Sequence, residues 1–189
     1  MDKNVMIAVC SPRPNGNCAI LAEKAAAGAR AGGARVELVS IPTLDPRPCT
    51  ACLACQDAGA TDCVLDDGLT RLLPRLRAAG ALLIVSPIYW FTFAAQAKVF
   101  IDRAFFSLNG PEGHALKGRK LGLILAYGGA DPFDSGAVNA LRAFQDTARF
   151  IGADITGMVC GSANDPGEIA ANPAVLEQAF DLGQTLAAG

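Results

Sequence analysis

Short apolar runs alternate with segments of helical periodicity along the whole chain. The apolar runs are bounded by Gly, Pro or polar residues, which is typical of buried strands. They fall at residues 5–9, 36–39, 81–85, 121–126 and 155–159. Between these runs, apolar residues recur at helical spacing in four segments. The segments are residues 17–31, a segment from Asp66 or Asp67 to about Ala79, and residues 94–107 and 136–151.

A final helix is predicted to begin at Asp165, with Pro166 in its first turn and Glu168 three residues after the cap. Five strands, each followed by a helical segment, predict a parallel sheet covered by helices on both faces, a three-layer α/β/α sandwich. Ligands bind such sheets beyond the carboxyl ends of the strands, where the strand order reverses. We therefore expect the site in the loops after the first, third and fourth strands.

The composition fits one folded domain over residues 1–189. Apolar residues make up 51% of the chain and charged residues only 18%, which argues against disorder. The net charge is −2 and no basic run is present, so nucleic acid is not an expected partner.

One segment, residues 78–97, carries no charge and is long enough to suggest a membrane span. Gly80, Ser86, Pro87 and Gln96 interrupt it, so we interpret it as a strand, a loop and the start of a helix. The beginning of the chain has no signal-peptide pattern. A cytoplasmic protein without a membrane segment is expected.

The loop at residues 11–18, after the first strand, has the chemistry of an anion site. It offers a hydroxyl, a guanidinium, amides and the N-terminus of a helix, and Gly16 permits a tight turn. Neither the G-x-G-x-x-G pattern of dinucleotide sites nor the Gly-Lys-Ser/Thr ending of a P-loop is present. The alternative is an ordinary turn with Asn17 as the helix cap.

The sequence Ser-x-Arg-x-x-Gly-Asn in this loop resembles the FMN-phosphate loop of the NADPH-dependent FMN reductase family. The resemblance implies a flavodoxin-like fold with strand order 2-1-3-4-5. Cys10 stands where the family usually has glycine, and Cys18 replaces Ser or Thr by a weaker hydrogen-bond donor. The residues implied to surround the phosphate are Ser11, Arg13, Asn15, Gly16, Asn17 and Cys18.

Two later loops resemble the same family. The first follows the third strand and is implied to lie along the isoalloxazine ring; the second follows the fourth strand and is implied to contact the flavin. Aromatic side chains and backbone amides at a loop mouth suit a flat, partly polar heterocycle. Taken singly, each segment could be core or turn, since residues such as Trp90 and Phe91 more often pack than bind. The residues implied are Pro87, Ile88, Tyr89, Trp90 and Phe91 in the first loop, and Tyr127, Gly128 and Gly129 in the second.

A cysteine-rich insertion, residues 41–66, connects the second strand to the next helix, and we call it the cysteine loop. Its cysteines form the pattern C-x2-C-x2-C-x7-C at Cys49, Cys52, Cys55 and Cys63. Two consecutive x2 spacings deliver three thiolates from one short turn, as a cubane cluster requires. The longer last gap and the missing Cys-Pro ending distinguish it from a bacterial ferredoxin motif.

The pattern resembles the compact cysteine motif of iron–sulfur flavoproteins, which implies a 4Fe–4S cluster on these four residues. Redox-active or free thiols, and a zinc site, are the alternatives; zinc sites usually take two separated pairs of ligands. Cys10, Cys18 and Cys160 lack ligand spacing and are expected to be small buried residues.

Three other features receive simple interpretations. His114, the only histidine, is expected in a surface loop. Lys98, Asp102 and Arg103 resemble a family segment that we interpret as structural, with Lys98 and Asp102 paired four residues apart. An excess of aromatic residues near the site predicts a homodimer, or a dimer of dimers, packed over the flavin. These residues are Trp90, Phe91, Phe93, Phe105 and Phe106.

Taken together, these resemblances imply an FMN-dependent oxidoreductase or electron-transfer flavoprotein. It would pass electrons from NAD(P)H or ferredoxin to a small-molecule or protein acceptor, singly if the cluster is present. No side-chain acid or base is assigned. The alternatives are a cluster-free NAD(P)H-dependent FMN or quinone reductase, an electron carrier without a substrate of its own, and a zinc-stabilised interaction module.

Overall fold

The computed structural model describes residues 3–57, 59, 62–110 and 112–188. Its strands are β1 (Asn4–Val9), β2 (Arg35–Ser40), β3 (Ala81–Tyr89), β4 (Thr92–Phe93), β5 (Asn109–Gly110), β6 (Gly113–His114), β7 (Lys120–Tyr127) and β8 (Asp154–Ser162). Its α-helices are α1 (Asn17–Ala31), α2 (Gly68–Ala78), α3 (Ala95–Phe100), α4 (Ala137–Ile151) and α5 (Pro173–Ala187).

The five long strands form one parallel sheet in the order β2-β1-β3-β7-β8. Counted among the long strands, this is the predicted order 2-1-3-4-5, and that prediction is confirmed. The order reverses between β1 and β3, so the carboxyl ends of these strands border a natural crevice.

Each face of the sheet carries its own apolar core. Along β3, Leu82 and Ile84 point into one core, whereas Leu83 and Val85 point into the other. The first core is closed by α2, α3 and α4, and the second by α1 and α5. The predicted three-layer sandwich is therefore confirmed.

The uncharged segment at residues 78–97 runs through β3 and β4 into α3, as predicted, but β3 continues to Tyr89 instead of ending near Val85. The reason is that β4 turns back and pairs with it, Ile88 opposite Phe93. Within the described part of the chain, no helix is both long and apolar enough to cross a membrane.

The predicted start of the last helix at Asp165 is wrong. The carboxylate of Glu168 accepts hydrogen bonds from the backbone N–H groups of Asn164 (2.6 Å) and Asp165 (2.9 Å). This capping interaction closes only a short 3-10 turn, and α5 begins at Pro173, capped by Asn172. The bond between Glu168 and the N–H of Asp165 is therefore present, but Asp165 caps neither α5 nor the short 3-10 turn, whose cap position is held by Gly167.

The prediction of a surface-loop position for His114 is also wrong, because its side chain is buried. The N–H of Leu116 donates to Nδ1 at 3.1 Å, so Nε2 carries the proton and donates to the carbonyl of Phe105 at 2.9 Å. Burial lowers the pKa of His114. The residue is a neutral link between β6 and the end of the preceding helical segment.

Candidate functional site

A cleft opens at the carboxyl ends of β1, β3 and β7, and we call it the flavin cleft. It consists of two adjoining hollows of about 150 and 280 Å³ that share Ile88, Tyr127 and Gly128. Of the fourteen residues implied to bind FMN, all but Asn15 and Gly16 line one hollow or the other. The three loops singled out in the sequence thus meet at one place.

The narrow end of the cleft has the features of an anion site. Helix α1 begins at Asn17 without a side-chain cap and without an acidic residue in its first turn. Its N-terminal N–H groups and the positive end of its dipole are therefore available to an anion. Arg13 and the buried Ser11 border the same end of the cleft. These groups fit a phosphate.

Asn15 and Gly16 shape the turn without lining the cleft. The N–H of Gly16 donates to the carbonyl of Arg13 at 3.2 Å. A Cβ atom at Gly16 would lie 2.9 Å from the Cβ of Arg13. A side chain here would therefore push Arg13 out of position.

Asn17 lines the cleft, but its side chain is occupied by the loop after β8. Its amide donates to the carbonyls of Ala163 (3.2 Å) and Asp165 (3.0 Å), and its oxygen accepts from the N–H of Ile169 (3.2 Å). The alternative that Asn17 caps α1 is wrong, since Gly16 holds the cap position.

Cys18, the departure from the family pattern, is buried behind Ser11 and Arg13. Burial raises the pKa of its thiol to about 12, although Ser11 and Arg13 act to lower it. Burial raises the pKa of Cys10 as well. Both thiols are neutral at ordinary pH and place no negative charge beside a bound phosphate. The expected burial of these two cysteines is confirmed, whereas Cys160 is half-buried.

The wide end of the cleft is bordered by a strained hairpin turn. Trp90 and Phe91 connect β3 to β4, and both have positive φ angles, 48° and 63°. Two left-handed residues in a two-residue hairpin are normally Asn-Gly or Gly-Gly. The amide of Asn139 in α4 donates to the carbonyl of Phe91 at 2.9 Å and holds the turn. Trp90 is 92% exposed, so its ring is presented to the solvent at the mouth of the cleft.

Replacing Trp90 by glycine is expected to raise the free energy of unfolding of the FMN-free protein by about 0.5–1 kcal/mol. A non-glycine residue in the left-handed conformation costs about 1–2 kcal/mol, and glycine removes this strain. Glycine also loses more backbone entropy on folding, which offsets part of the stabilisation. The same change is expected to weaken FMN binding by removing the ring. Trp90→Ala serves as the control, since it removes the ring and keeps the strain. Urea denaturation and flavin titration measure the two effects; equal stability of the two variants would contradict the prediction.

The third loop, Tyr127 to Gly129, contacts a fourth loop that sequence reasoning missed. The N–H of Ala163 donates to the carbonyl of Tyr127 at 2.7 Å, and Arg13 Nη1 donates to the carbonyl of Asn164 at 3.1 Å. A Cβ at Gly128 would lie 2.8 Å from Asn164 Oδ1, so a side chain here would force the Asn164 side chain to move. The available signal was positional: Ala163 follows the carboxyl end of the last strand.

The cysteine loop forms a second candidate site. All four of its cysteines border one small cavity, together with Arg103 and Phe106. Cys49 and Cys52 are exposed, while Cys55 and Cys63 are half-buried. No three His, Cys, Asp or Glu side chains within the described ranges are grouped closely enough to hold a single metal ion.

A buried ion pair, Asp67–Arg103, closes the base of the cysteine loop. Arg103 lies in a turn of π-helix, Ile101–Phe105, and its side chain is 1% exposed. It donates to both carboxylate oxygens of Asp67, Nη2 to Oδ1 at 2.6 Å, and to the carbonyls of Arg47 (2.9 Å) and Leu65 (3.3 Å). Arg47 precedes the first cysteine and Leu65 follows the last, so one guanidinium joins the two arms of the loop.

Asp67 serves the same region from the other side. Its carboxylate accepts from the N–H groups of Leu69 and Thr70, which caps α2, and from the N–H of Arg47 at 3.1 Å. Burial acts to raise the pKa of Asp67, but the hydrogen bonds from Arg103, Arg47 and Thr70 outweigh it and hold the pKa well below its usual range. The predicted Lys98–Asp102 pair is present and exposed. Arg103, grouped with it as structural, turns away into the interior.

Comparison with known proteins gives consistent results. Residues 3–153 match the family described as NADPH-dependent FMN reductase. The chain is 30% identical over 164 residues to an iron-sulfur flavoprotein of Methanosarcina thermophila, covering 87% of this chain and 80% of that protein. It is 30% identical over 174 residues to YwqN of Bacillus subtilis (strain 168), named as an NAD(P)H-dependent FMN-containing oxidoreductase, covering 90% and 91% of the two chains.

Among solved structures, the Trp repressor binding protein from Bacillus subtilis superposes with a TM-score of 0.70 at 26% identity, covering 94% of this chain and 99% of that one. An archaeal flavodoxin superposes with a TM-score of 0.60 at 14% identity, covering 97% and 96%, which supports the fold alone. The matched residues include the loops after β1, β3 and β7 that form the flavin cleft. The chain therefore belongs to the NADPH-dependent FMN reductase family, and it is an oxidoreductase with a flavodoxin-like fold.

Proposed function

We propose that this protein is an FMN-dependent oxidoreductase whose cysteine loop holds a 4Fe–4S cluster, so that electrons from a reduced donor leave the protein one at a time. The observation that carries the proposal is the convergence of Cys49, Cys52, Cys55 and Cys63 on one cavity. The donor is proposed to be NAD(P)H or ferredoxin, and the acceptor a small molecule or a protein.

The two ends of the flavin cleft match the two parts of FMN, its phosphate and its ring, which supports the FMN part of the proposal. The first turn of α1, with Ser11 and Arg13, would hold the phosphate, and the hairpin at Trp90 and the backbone at Gly128 would border the ring. Bound FMN supplies both two-electron and one-electron chemistry. Burial raises the pKa of Tyr127, and the nearby Cys160 and Asp131 raise it further. The Tyr127 side chain therefore stays neutral beside the ring. No side-chain acid or base is assigned.

The cysteine loop supports the cluster through its backbone as well as its thiols. Ala51 and Leu53 have φ angles of 54° and 62°, so the chain reverses its curvature between successive cysteines and wraps around the cavity. A single ion requires thiolates gathered about 2.3 Å from one centre, whereas a cubane spreads four thiolates over a larger volume. The four cysteines form a triplet plus one around this cavity, a spacing that favours the cluster over zinc, whose structural sites usually take two separated pairs of ligands.

The chain connects the two sites directly. The hairpin that borders the flavin cleft leads into α3, and this helical segment continues through the π-turn to Phe106 at the cysteine cavity. From Ala95 to Phe106 the segment is about 18 Å long. The two candidate sites thus lie at the two ends of one helical segment, which supports electron transfer between them.

The test is to purify the protein without oxygen and to measure flavin, iron and acid-labile sulfide per chain. About four iron and four sulfide with one FMN is the expected result. Cys52→Ser should lose the iron and keep the flavin. The matched control Cys160→Ser, outside the cysteine loop, should keep both. Iron that persists in the Cys52 variant would contradict the ligand assignment.

The second candidate is a cluster-free NAD(P)H-dependent reductase of FMN or quinones, which the likeness to YwqN over 90% of the chain favours. Flavin without iron, combined with steady NAD(P)H oxidation in the presence of a quinone, would establish it. Flavin without NAD(P)H turnover would indicate an electron carrier. Bound zinc with no flavin would indicate the interaction module.

We also propose a homodimer, or a dimer of dimers, that covers the flavin cleft. Trp90 and Phe91, which line the cleft, are 92% and 57% exposed, and Phe133, two residues before Ser135 of the cleft wall, is 80% exposed. Two of the aromatic residues cited from the sequence, Phe93 and Phe105, are instead buried in the core. Size-exclusion chromatography with light scattering tests the proposal, and a monomeric mass would overturn it.

A further inference from the structure

One hydrogen-bond donor of Arg103 has no acceptor within hydrogen-bond distance in the described part of the chain. A guanidinium has five N–H groups. The four on Nη1 and Nη2 are taken up by Asp67, Arg47, Leu65 and Thr70. The fifth, on Nε, is buried and has no hydrogen-bond acceptor among the described residues. Buried hydrogen-bond donors almost always have an acceptor, so the unpaired Nε–H indicates an acceptor that is supplied in another state of the site.

The surroundings identify the chemistry of that partner. Arg103 and Cys63 border the same cavity. Burial acts to lower the pKa of Arg103, and Asp67 and then Cys63 act to raise it. Asp67 engages both Nη atoms of the guanidinium, which fixes its plane and leaves the Nε–H as its remaining donor. The cysteine sulfurs that border this cavity are the acceptors nearest in chemistry to such a donor.

We propose that Arg103 is a positioning residue of the cluster site: its Nε–H donates to the Cys63 thiolate when the four cysteines hold the cluster, and its charge makes the cluster easier to reduce. The inference rests on the proposed function. A hydrogen bond to a ligand sulfur stabilises the reduced cluster, which carries more negative charge, and so raises the reduction potential. The same bond orients Cys63, the ligand that is separated from the other three in sequence.

This role differs from that of a purely structural ion pair. A structural pair requires only the contacts with Asp67 and with the arms of the loop. The proposed role adds an electronic effect on the cluster, which can be read from its potential and its magnetic spectrum. Arg103→Lys separates the two roles, because lysine keeps the charge near Asp67 but lacks the Nε–H and the planar group.

The test compares the anaerobic wild-type protein with Arg103→Lys and with the control Arg71→Lys. Arg71 is an exposed arginine of the same region, paired with Asp66. In an EPR-monitored redox titration, Arg103→Lys is expected to keep FMN and bound iron, to shift the cluster potential to more negative values, and to lose iron to a chelator severalfold faster. Arg71→Lys is expected to match the wild type. A cluster in Arg103→Lys with an unchanged potential would overturn the inference.

A second measurement on the wild-type protein decides the matter if Arg103→Lys does not fold. Protein labelled with 15N-arginine is reduced, and pulsed EPR of the reduced cluster is recorded. A hyperfine coupling to an arginine nitrogen is expected, and its absence would overturn the inference. Failure of the proposed function gives a different result: the wild-type protein then contains flavin but no iron or sulfide, which removes both proposals together.

Discussion

Replacement of Asp67 by alanine is expected to lower the free energy of unfolding by about 3–5 kcal/mol, the range for breaking a buried ion pair from one side. The change leaves the Arg103 guanidinium, 1% exposed, without its counter-ion. It also removes the cap of α2 and the acceptor for the N–H of Arg47. Because this pair joins the two arms of the cysteine loop, the loop is expected to lose its order first.

Two further variants isolate the cause of that loss. Asp67→Asn retains a good helix cap, so its difference from Asp67→Ala measures the cap, worth about 1 kcal/mol. Asp66→Ala removes the adjacent carboxylate, which is 92% exposed in its pair with Arg71 and should cost about 0–1 kcal/mol. Urea denaturation at fixed FMN excess measures all three. Equal losses of unfolding free energy in Asp66→Ala and Asp67→Ala would show that the buried pair stabilises the fold no more than an exposed pair does.

The contribution of Asp67 should also depend on pH in a defined direction. The pKa of this carboxyl is held below its unfolded value of 3.8 by Arg103 and by backbone donors, which outweigh burial. Its stabilisation is therefore fully present above about pH 4 and declines as the pH falls further, when the folded carboxylate is protonated. The stability difference between wild type and Asp67→Asn should shrink over that acid range and stay constant between pH 5 and 8.

The central fold was predictable because its signals are local. Each buried strand is a short apolar run bounded by turn residues, and the alternation of Leu82 and Leu83 between the two cores follows from the period of a strand. The three cleft loops were predictable because parallel strands place their carboxyl ends at one edge. The family motif in the first loop then indicated which end of the cleft takes the phosphate.

The rest depends on tertiary contacts that leave no local pattern. Arg103 follows Asp102 on a segment with ordinary helical spacing, and only the π-turn carries its side chain into the interior. His114 follows a segment rich in Gly and Pro, which is typical of a surface loop, yet Phe105 and Leu116 satisfy both of its ring nitrogens. Glu168 forms its predicted capping bond on a turn instead of a helix, because α5 has a better start at Asn172 and Pro173.

The fourth loop of the flavin cleft illustrates the same limit at the binding site. Ala163 and Asn164 carry no binding motif, and their position is set by the side chains of Asn17 and Arg13 from the first loop. The first loop therefore has two tasks, to present an anion site and to anchor the end of β8. Separating these two tasks is the main purpose of a substitution at Arg13.

Arg13→Gln is expected to weaken FMN binding by about 10–30-fold, the equivalent of a charged hydrogen bond of about 1.5–2 kcal/mol. The guanidinium of Arg13 is exposed at the end of the cleft where α1 offers its N–H groups. Removal of its charge should leave the helix N-terminus as the main phosphate partner. The loss should diminish as the salt concentration rises, since an exposed charge is screened. Flavin fluorescence titration measures the dissociation constant.

Riboflavin, which lacks the phosphate, provides the decisive comparison. If Arg13 acts on the phosphate, Arg13→Gln leaves the affinity for riboflavin unchanged and lowers only that for FMN. If Arg13 acts mainly by holding the carbonyl of Asn164, both flavins lose affinity equally, because the wall near Gly128 moves. Arg30→Gln, at the exposed far end of α1, changes the net charge equally and should alter neither affinity. A fall confined to FMN would place the phosphate at the N-terminus of α1.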